Sequence, residues 1–495
     1  MEPIIIKKLT FAYPGQSPLF ANCHLNINSD WKMGLLGRNG RGKTTLMKIL
    51  LHQLDYTGTV TSNLNFAYFP LITDESDDLT INTLLGAPGL ANLAQWQIER
   101  ELNTMGVDPA ILWQPYNTLS GGEQTKVQLA ALFALPWAFL LLDEPTNHLD
   151  QVGRKQVAAY LQTKQQGFIL TSHDQAFLDT VIDHTLVIER HQLVLEQGNY
   201  ATYFAQKKRR DQEAAAKNHQ LKAEIKELKK NRQQRSQWAQ RAENEKKNNA
   251  HADKGFIGAK AAKMMKKTVT TTNRLTSAIE DRQGLMAEVE EIVPLPLNLV
   301  GTHHETLLSL DKVTLSWAPT PLFQPVSFAV KAGQQVALIG PNGIGKSSLI
   351  KALFGQFTGK ITGDISLAHG IKVSCVRQDY ATNHGTLREF ARQNQLEYDQ
   401  FLNILRKLGM ERASFTVPIE QMSMGQQKKV ELARSLATPA NLYIWDEPLN
   451  YLDTYNQDQL IKLIHEYRPP LLFVEHDQRF INAVASGKVE LLPGK

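Results

Sequence analysis

Two glycine-rich segments hold the residues best suited to chemistry in this sequence of 495 residues. Residues 37–44 read Gly-Arg-Asn-Gly-Arg-Gly-Lys-Thr, and residues 340–347 repeat them as Gly-Pro-Asn-Gly-Ile-Gly-Lys-Ser. Each segment follows an apolar run and precedes a helix-like one, as a phosphate-binding loop does. In such a loop, backbone N–H groups hold the phosphates, the lysine neutralises the β and γ phosphates, and the hydroxyl is a Mg²⁺ ligand. The repeat predicts two sites for ATP or GTP, formed by Gly37, Asn39, Gly40, Gly42, Lys43, Thr44 and Thr45, and by Gly340, Asn342, Gly343, Gly345, Lys346, Ser347 and Ser348.

Two acidic pairs lie downstream of these loops at the same offset of 303 residues. The apolar residues 139–142 and 442–445 each end in Asp-Glu. The aspartate of each pair is expected to hold the Mg²⁺ shell, and the glutamate to polarise the attacking water. A strand that merely ends in a solvated acidic turn would not explain why both copies continue as Pro-x-Asn-x-Leu-Asp. The pairs are Asp143 with Glu144 and Asp446 with Glu447.

A histidine also recurs at this offset, as His173 and His476. Either histidine alone would be an ordinary capping or core residue more often than a functional one. Because both recur in register with the predicted phosphate sites, we interpret them as contacts to the γ-phosphate.

The common offset indicates a duplicated domain, since solenoid repeats have much shorter periods. Both halves alternate strand-like apolar runs with helix-like segments, which predicts an α/β fold class with two tandem nucleotide-binding domains. The predicted domains are residues 1–200 and 298–495, joined by a linker at 201–297.

The linker has the composition of a helical hairpin. Residues 199–254 contain no Gly or Pro and are rich in strong helix formers, which predicts one long helix. Glycines at 255 and 258 predict a tip near 254–258, after which a second, antiparallel helix returns. Six apolar side chains are expected to form the seam between the helices, namely Leu221, Ile225, Leu228, Leu275, Ile279 and Met286.

Charge is strongly segregated along the chain. Residues 207–274 contain 20 Lys and Arg against 7 Asp and Glu, a net charge of +13, which leaves the remainder with 34 against 42, or −8. Clustered cations gain affinity for nucleic acid by displacing its condensed counterions. The segregation therefore favours a nucleic-acid partner for the linker over a merely solvated charged helix.

Composition excludes several other classes of protein. With 42% hydrophobic and 21% charged residues, the chain resembles a globular protein, and its apolar runs fall short of the ~20 residues that a bilayer helix needs. Its N-terminus lacks the apolar core of a secretory signal, so we expect a cytoplasmic location and no membrane partner. Cys23 and Cys375 lie too far apart in sequence, with too few histidines beside them, to indicate a disulfide framework or a zinc site.

Several motifs together resemble the ATP-binding cassette. Residues 119–123 read Leu-Ser-Gly-Gly-Glu, and residues 422–426 read Met-Ser-Met-Gly-Gln at the same offset. Residues 140–150 read Leu-Leu-Leu-Asp-Glu-Pro-Thr-Asn-His-Leu-Asp, and 172–174 read Ser-His-Asp. Two cassettes on one chain, no membrane domain and an interposed helical hairpin are similar to the ABC-F proteins, which bind ribosomes.

The resemblance implies how the two halves cooperate. ABC-F cassettes close head to tail, so each ATP and its Mg²⁺ lie between the phosphate-binding loop of one half and the signature serine of the other. Lys43 would then face Ser423, and Lys346 would face Ser120, within a monomer. The resemblance also implies that Gln378 contacts Mg²⁺ and that the rings of Tyr13 and Trp317 stack on adenine, with ordinary strand-end packing as the alternative for both rings. The signature residues implied to bind nucleotide are Ser120, Gly121, Gly122, Glu123, Ser423, Gly425 and Gln426.

Two positions depart from the family pattern. Leu71 stands where Gln378 stands in the second half, and Met424 replaces the usual signature glycine. Head-to-tail pairing would place both departures in the site of Lys43 and Ser423, which predicts that the two sites are unequal.

Within the family, residues 253–267 resemble the antibiotic-resistance branch typified by Lsa and Vga proteins. That resemblance implies protection of the large ribosomal subunit from drugs of the peptidyl-transferase centre, by ATP-gated binding near the tRNA exit site. The implied partners are the rRNA of the large subunit and the tRNA in the peptidyl site. The implied rRNA contacts are Lys254, Phe256, Ile257, Lys260 and Lys263. A housekeeping translation factor remains an alternative, as does the ATPase subunit of a transporter. A DNA-associated ATPase is disfavoured because the sequence has neither zinc-spaced cysteines nor a coiled coil of hundreds of residues, and we expect no DNA partner.

Overall fold

The computed structural model describes residues 2–15, 18–71, 77–147, 149–189, 191–248, 254–286, 292–317, 320–380 and 382–494. For residues 235–248 other than 237, and for 254–269 other than 266, only the backbone is described. The chain divides into two compact units: Met1–Ala201 together with Ile292–Lys495, and Thr202–Glu291. The predicted linker boundaries, at 201 and 297, therefore lie at or within six residues of the boundaries between the units.

The first cassette is built from two sheets and the helices around them. Its strands are β1 (Pro3–Phe11), β2 (Phe20–Asn28), β3 (Lys32–Leu36), β4 (Thr57–Thr61), β5 (Asn65–Phe69), β6 (Ala138–Asp143), β7 (Phe168–Thr171), β8 (His184–Glu189) and β9 (Gln192–Gln197). Its helices are α1 (Lys43–Leu50), α2 (Thr80–Gly86), α3 (Gln95–Met105), α4 (Gly121–Phe133), α5 (Gln151–Thr163) and α6 (Gln175–Val181). One sheet has the order β5-β6-β7-β3-β8-β9, parallel except for β9, and the other is the antiparallel β2-β1-β4.

The second cassette repeats this plan after the linker helices α7 (Tyr200–Asn248) and α8 (Lys254–Gly284). Its strands are β10 (Thr306–Ser316), β11 (Val326–Lys331), β12 (Gln335–Ile339), β13 (Lys360–Leu367), β14 (Val373–Val376), β15 (Leu442–Asp446), β16 (Leu471–Val474) and β17 (Gly487–Glu490). Its helices are α9 (Lys346–Leu353), α10 (Leu387–Gln393), α11 (Tyr398–Lys407), α12 (Met424–Ala437), α13 (Thr454–Tyr467) and α14 (Gln478–Val484). The sheets run β14-β15-β16-β12-β17, all parallel, and β11-β10-β13, antiparallel. The predicted fold class, α/β with two tandem cassettes joined by a helical segment, is confirmed.

The parallel strands explain why the functional motifs meet. Strands β6 and β15 are buried along almost their whole length, as expected for sheets covered on both faces. In such sheets, ligands bind at the carboxyl ends of the strands. The phosphate-binding loops follow β3 and β12, the Asp-Glu pairs end β6 and β15, and the histidines follow β7 and β16. Each cassette thus collects its predicted chemistry at one sheet edge.

The linker helices make contact along the predicted seam. Leu221, Ile225 and Ile279 are buried, while the other three predicted seam residues are half-buried. Arg282 Nε also donates to Glu224 Oε2 across the pair, at 2.6 Å. Residues 254–258, near which the tip is predicted, form the first turn of α8. Residues 249–253 lie outside the described residues.

Among the residues that the structure describes, no helix is both long enough and apolar enough to cross a bilayer.

Candidate nucleotide sites

Both phosphate-binding loops wrap around the end of a strand and open a helix. Gly42 and Gly345, which immediately precede α1 and α9, have φ angles of 95° and 103°, in the left-handed region that favours glycine. A Cβ at Gly42 would also lie 3.1 Å from the Phe20 ring. The backbone conformation favours glycine at both positions, and at Gly42 the nearby Phe20 ring also leaves little room for a side chain.

The two loop lysines point back over their own loops. Lys43 Nζ donates to the carbonyl oxygen of Gly37 at 2.7 Å and to Asn39 Oδ1 at 3.1 Å. Lys346 Nζ donates to the carbonyl oxygens of Gly340 and Pro341, at 2.8 and 2.9 Å. Each ammonium thus lies over the hollow of its loop, where a phosphate oxygen can replace a carbonyl as its acceptor.

A cavity of about 870 Å³ opens at the second loop, which we call the Lys346 site. This volume suits a nucleotide, since ligand pockets typically measure ~300–1,000 Å³. Both cassettes line it, so the structure brings Ser120 together with Lys346, as head-to-tail pairing predicts. The predicted residues along its wall are Ser120, Gly121, Gly122, Glu123, Asn342, Gly343, Gly345, Lys346, Ser347, Ser348, Gln378, Glu447 and His476.

The metal end of the Lys346 site has a free carboxylate oxygen. Asp446 Oδ1 is buried without a hydrogen-bond partner among the described residues, and burial raises the pKa of this carboxyl to about 6. Nearby, Ser347 Oγ donates to Gln378 Oε1 at 3.2 Å. A hydroxyl, an amide oxygen and an underused carboxylate are the oxygen donors that Mg²⁺ takes beside a nucleotide. These residues therefore fit a Mg²⁺ ion.

Glu447 also lines the Lys346 cavity, and its surroundings favour the ionised form of its carboxyl group. Its φ of 47° is unusual for a residue with a side chain, and such strain concentrates at functional sites. Burial alone would raise the pKa of Glu447, but His476 and a hydrogen bond from Asn450 Nδ2 at 2.5 Å outweigh it, so the pKa lies below its ordinary value. His476 Nε2 lies 3.5 Å from Glu447 Oε1. An ionised carboxylate in this position can accept a proton from water.

At the first loop, which we call the Lys43 site, the second cassette packs directly on the loop. The N–H of Asn39 donates to Asp453 Oδ2 at 2.8 Å, and its side-chain amide donates to the Tyr451 carbonyl at 2.8 Å. A Cβ at Gly425 would lie 3.5 Å from the same amide nitrogen. The structure thus brings the second signature segment to the first loop, and one loop N–H already has a carboxylate partner.

The aspartate of the Lys43 site is fully engaged by hydroxyl groups. Asp143 Oδ2 accepts from Thr44 at 2.8 Å and from the Tyr68 hydroxyl at 3.0 Å, and Oδ1 accepts from Thr171 at 2.5 Å. Three of the roughly four acceptor positions of this carboxylate are thus taken, so Mg²⁺ at Asp143 would compete with these hydrogen bonds.

Glu144 is also set differently from Glu447. Its φ is 54°, so the backbone strain is shared, and His173 Nε2 lies 3.3 Å from Oε1. Desolvation raises the pKa of the Glu144 carboxyl to about 7. Burial and the positive charge of Lys43 lower the pKa of His173, so this imidazole is neutral.

The remaining predicted residues divide between these sites and their margins. Tyr13 is half-exposed with its hydroxyl 3.2 Å from Thr45 Oγ1, while Trp317 is 61% exposed and contacts Phe357 edge-on. Both rings have surface that could meet a base. Ser423 and Gln426 cap the start of α12, as Ser120 and Glu123 cap α4.

One departure lies elsewhere than predicted. Met424, which is predicted in the Lys43 site, is half-exposed and lines the Lys346 cavity. As the first residue of α12 it projects outward, whereas Gly425 faces Asn39. Leu71 instead donates its N–H to Gln128 Oε1 at 3.0 Å. The side chains of the predicted rRNA contacts at 254, 256, 257, 260 and 263 lie outside the described residues.

The sequence reasoning missed three residues that shape the two sites. Asp453 had a signal, because it ends the repeated Pro-x-Asn-x-Leu-Asp motif. Tyr68 and Arg154 had none, because neither recurs in the second cassette. The strand register aligns Tyr68 with Cys375, and the offset of 303 residues aligns Arg154 with Gln457.

Comparison with known proteins agrees with this geometry. The ABC transporter family matches residues 20–147 and 323–450. The "Ribosome protection protein VmlR" of Bacillus subtilis is 27% identical over 99% of this chain and 86% of its own length. The "Erythromycin resistance ATP-binding protein MsrA" of Staphylococcus epidermidis is 28% identical over 94% of this chain and 93% of its own. An archaeal ribosome recycling factor, aABCE1, solved with a ribosomal stalk protein, has the same fold, with a TM-score of 0.64 and 18% identity over 98% of this chain and 90% of its own.

The family matches cover just over half of the chain, one in each cassette, and each spans a phosphate-binding loop and an Asp-Glu pair. Such domains bind and hydrolyse ATP. The chain therefore belongs to the ABC transporter family and, with two cassettes on one polypeptide and a helical hairpin between them, to its ABC-F ATPases.

Proposed function

We propose that this ATPase acts in the cytoplasm, where it binds the ribosome and protects the large subunit from antibiotics of the peptidyl-transferase centre, of the lincosamide, pleuromutilin and streptogramin A type. The observation that carries the proposal is the insertion of a segment with a net charge of +13 between two cassettes, each of which lies against the other's phosphate-binding loop. A basic surface of this kind suits rRNA, and the names of the VmlR and MsrA relatives point to ribosome protection and drug resistance.

ATP serves as the gate in this proposal. Nucleotide in both sites would favour the closed pair of cassettes, because each phosphate group then meets residues from both halves. The closed form would bind near the tRNA exit site with the hairpin directed towards the tRNA in the peptidyl site. Hydrolysis would release the clamp. At the Lys346 site, Glu447 would accept the proton of the attacking water, and His476 and Asn450 would hold its carboxylate in place.

Protection and release can be tested with one pair of strains. A drug-sensitive host expressing the parent chain should show raised minimum inhibitory concentrations for the three named drug classes. The variant Glu144→Gln with Glu447→Gln should retain ATP binding, lose turnover and sediment with ribosomes. A housekeeping factor would leave all inhibitory concentrations unchanged while still sedimenting with ribosomes, and a transporter subunit would sediment with membranes.

The tip can be tested separately from the cassettes. Phe256 lies between two glycines in a basic segment, where an aromatic ring can stack on an unpaired base. The alternative is that Phe256 and Ile257 only close the helix end against each other. Stacking is typically worth ~1–3 kcal/mol, so Phe256→Ala should reduce protection while ATP turnover stays unchanged. Charge reversal at Lys254, Lys260 or Lys263 should instead weaken ribosome binding in a salt-dependent way. Full protection by Phe256→Ala would show that the tip acts without stacking.

A further inference from the structure

Arg154 lies on the wall of the Lys346 cavity, although it belongs to the first cassette. It stands in the first turn of α5, just after the aspartate that ends the repeated motif of that cassette. Its side chain is only 16% exposed. A cation thus reaches the phosphate-binding loop of the second cassette from the opposite half of the protein.

The guanidinium is held in place and still has donors to offer. Its Nε donates to the Leu149 carbonyl at 3.1 Å, and its Nη1 donates to Asp174 Oδ2 at 3.0 Å. A guanidinium carries five N–H donors in a rigid plane, and these two bonds use two of them. A side chain fixed at two points loses little freedom when a further acceptor arrives.

The acidic residues that share this part of the wall are already engaged. The Glu123 carboxylate accepts from the N–H and hydroxyl of Ser120, at 2.8 and 2.7 Å. Asp150 Oδ1 accepts from the N–H of Gly153 at 2.7 Å. Of the cations that the first cassette contributes to the wall, Lys126 donates to Gln156 at 2.9 Å. Arg154 is therefore the more rigidly positioned positive group facing Lys346 from the first cassette.

The second cassette has no such cation at the equivalent position. Gln457 occupies it, is 3% exposed and donates to the His173 carbonyl at 3.4 Å. The arginine therefore has no cationic counterpart in the second cassette, a difference that the duplication of the domain alone would not produce.

We propose that Arg154 binds the terminal phosphate of ATP at the Lys346 site from the opposite cassette, and that Asp174 positions it. Asp174 directly follows His173 and caps α6 by accepting from the Phe177 N–H at 3.0 Å. The Arg154–Asp174 ion pair thus joins the wall of the Lys346 site to the histidine of the Lys43 site. This inference rests on the proposed assignment of the Lys346 cavity as a nucleotide site.

The test measures binding at the Lys346 site alone. In the full-length chain carrying Lys43→Ala, a ribose-labelled non-hydrolysable ATP analogue and equally labelled ADP are titrated by fluorescence. Arg154→Gln should weaken binding of the triphosphate by about tenfold, the size expected for one charge-assisted hydrogen bond, and leave ADP binding nearly unchanged. Asp174→Asn, which keeps the helix cap, should lower the ratio of triphosphate to ADP affinity by a smaller factor.

The matched control is Lys155→Gln, which removes the same charge from an exposed position of α5. It should change neither affinity. Equal losses of triphosphate and ADP affinity in Arg154→Gln, or no loss of either, would overturn the proposal. A further variant, Lys346→Ala, checks the site itself: if it too binds both nucleotides normally, the assignment of the cavity fails, rather than the role of Arg154.

Discussion

The two nucleotide sites contain nearly the same motif residues in different states of engagement. At the Lys346 site, a cavity of about 870 Å³ separates the loop from the opposite signature segment, and Asp446 keeps a buried oxygen without a partner among the described residues. At the Lys43 site, Asp453 accepts from the loop N–H of Asn39, and three hydroxyl groups surround Asp143. Nucleotide and Mg²⁺ can enter the Lys346 site as it stands, whereas at the Lys43 site they must compete with existing hydrogen bonds.

Few substitutions account for this difference. Tyr68 supplies a hydroxyl to Asp143, and the strand register places Cys375 at the equivalent position of the second cassette. Thr171 supplies another hydroxyl, and the strand register places Val474 at its equivalent position. The loop lysines, the Asp-Glu pairs and the histidines are the same in both sites. Motif identity therefore sets what a site can bind, while the neighbouring side chains set how much existing structure must be displaced first.

The largest expected effect is on ATP turnover. We expect Glu447→Gln to lower turnover by about tenfold or more, because a general base typically contributes 10²–10⁴-fold and the Lys346 site has its carboxylate ionised. Glu144→Gln should lower turnover less than about threefold, since nucleotide and Mg²⁺ must compete with existing hydrogen bonds at the Lys43 site. Steady-state phosphate release from the two single variants measures the ratio. Equal losses would mean that the two sites hydrolyse ATP equally despite their different contacts.

A second difference concerns how each cassette holds the segment that follows strand β5 or β14, at Leu71 in the first cassette and at Arg377 and Gln378 in the second. In the second cassette, the buried Glu431 accepts from Arg377 at 2.9 and 3.0 Å and from Arg434 at 2.7 and 3.1 Å. In the first cassette, the uncharged Gln128 occupies the position equivalent to Glu431, and its Oε1 accepts from the Leu71 N–H. Although burial opposes it, the two arginines hold the pKa of Glu431 well below its ordinary value.

We therefore expect Glu431→Gln to destabilise the protein by about 3 kcal/mol at pH 7, the lower end of the cost of breaking a buried ion pair. Because the folded-state pKa of Glu431 is depressed, its contribution is present above the unfolded-state value of ~4.3 and is lost as the pH falls further. Thermal unfolding at a series of pH values should show the gap between parent and variant narrowing below that pH. Gln128→Ala serves as control, with a loss that stays constant with pH. A constant gap for Glu431→Gln as well would mean that its charge contributes nothing.

The sequence predicted those features that depend on repetition and periodicity. The α/β fold, the two cassettes and the seam residues Leu221, Ile225 and Ile279 followed from the 303-residue offset and from helical spacing. The residues collected at each sheet edge followed because parallel strands end together.

What could not be predicted depends on side-chain direction and on partners distant in the chain. Asp150 and Asp453 end the same motif, yet Asp150 lines an open cavity while Asp453 contacts the opposite loop. Met424 is predicted in the Lys43 site, but it lines the Lys346 cavity. Residues 254–258, near which the tip is predicted, form the first turn of α8 despite two glycines, although glycine is a poor helix former.

A smaller effect is expected from releasing the first loop. Asp453→Asn keeps the cap of α13, where Asp453 accepts from the Asn456 N–H, but removes the charge that competes with phosphate. In a Lys346→Ala background, which leaves only the Lys43 site, ATP-analogue affinity should rise about fivefold. This is less than the ~1.5–3 kcal/mol of a hydrogen bond to a charged group, because the asparagine oxygen can still accept from the Asn39 N–H. Fluorescence titration measures it. Asp150→Asn in a Lys43→Ala background is the matched control and should give no increase. A weaker affinity for Asp453→Asn would show that this carboxylate supports the site instead.

The smallest expected effect isolates a single hydroxyl group. Tyr68→Phe removes one of the three hydroxyl donors to Asp143 and leaves the ring in place. Burial and the charge of Asp143 raise the pKa of Tyr68, so this group always donates and always opposes a metal ion at the same oxygen. In the Glu447→Gln background, where the remaining turnover comes from the Lys43 site, we expect the Mg²⁺ concentration for half-maximal turnover to fall about two- to threefold. This is less than the ~1.5–3 kcal/mol of a hydrogen bond to a charged group, because Thr44 still donates to the same oxygen. Cys375→Ala, at the equivalent position of the second cassette, should leave the Mg²⁺ dependence unchanged in the Glu144→Gln background, because the described contact of its sulfur is with Arg434 rather than Asp446. An unchanged Mg²⁺ dependence in Tyr68→Phe would mean that Thr44 and Thr171 alone set the accessibility of Asp143, and that the inequality of the sites originates at Asp453.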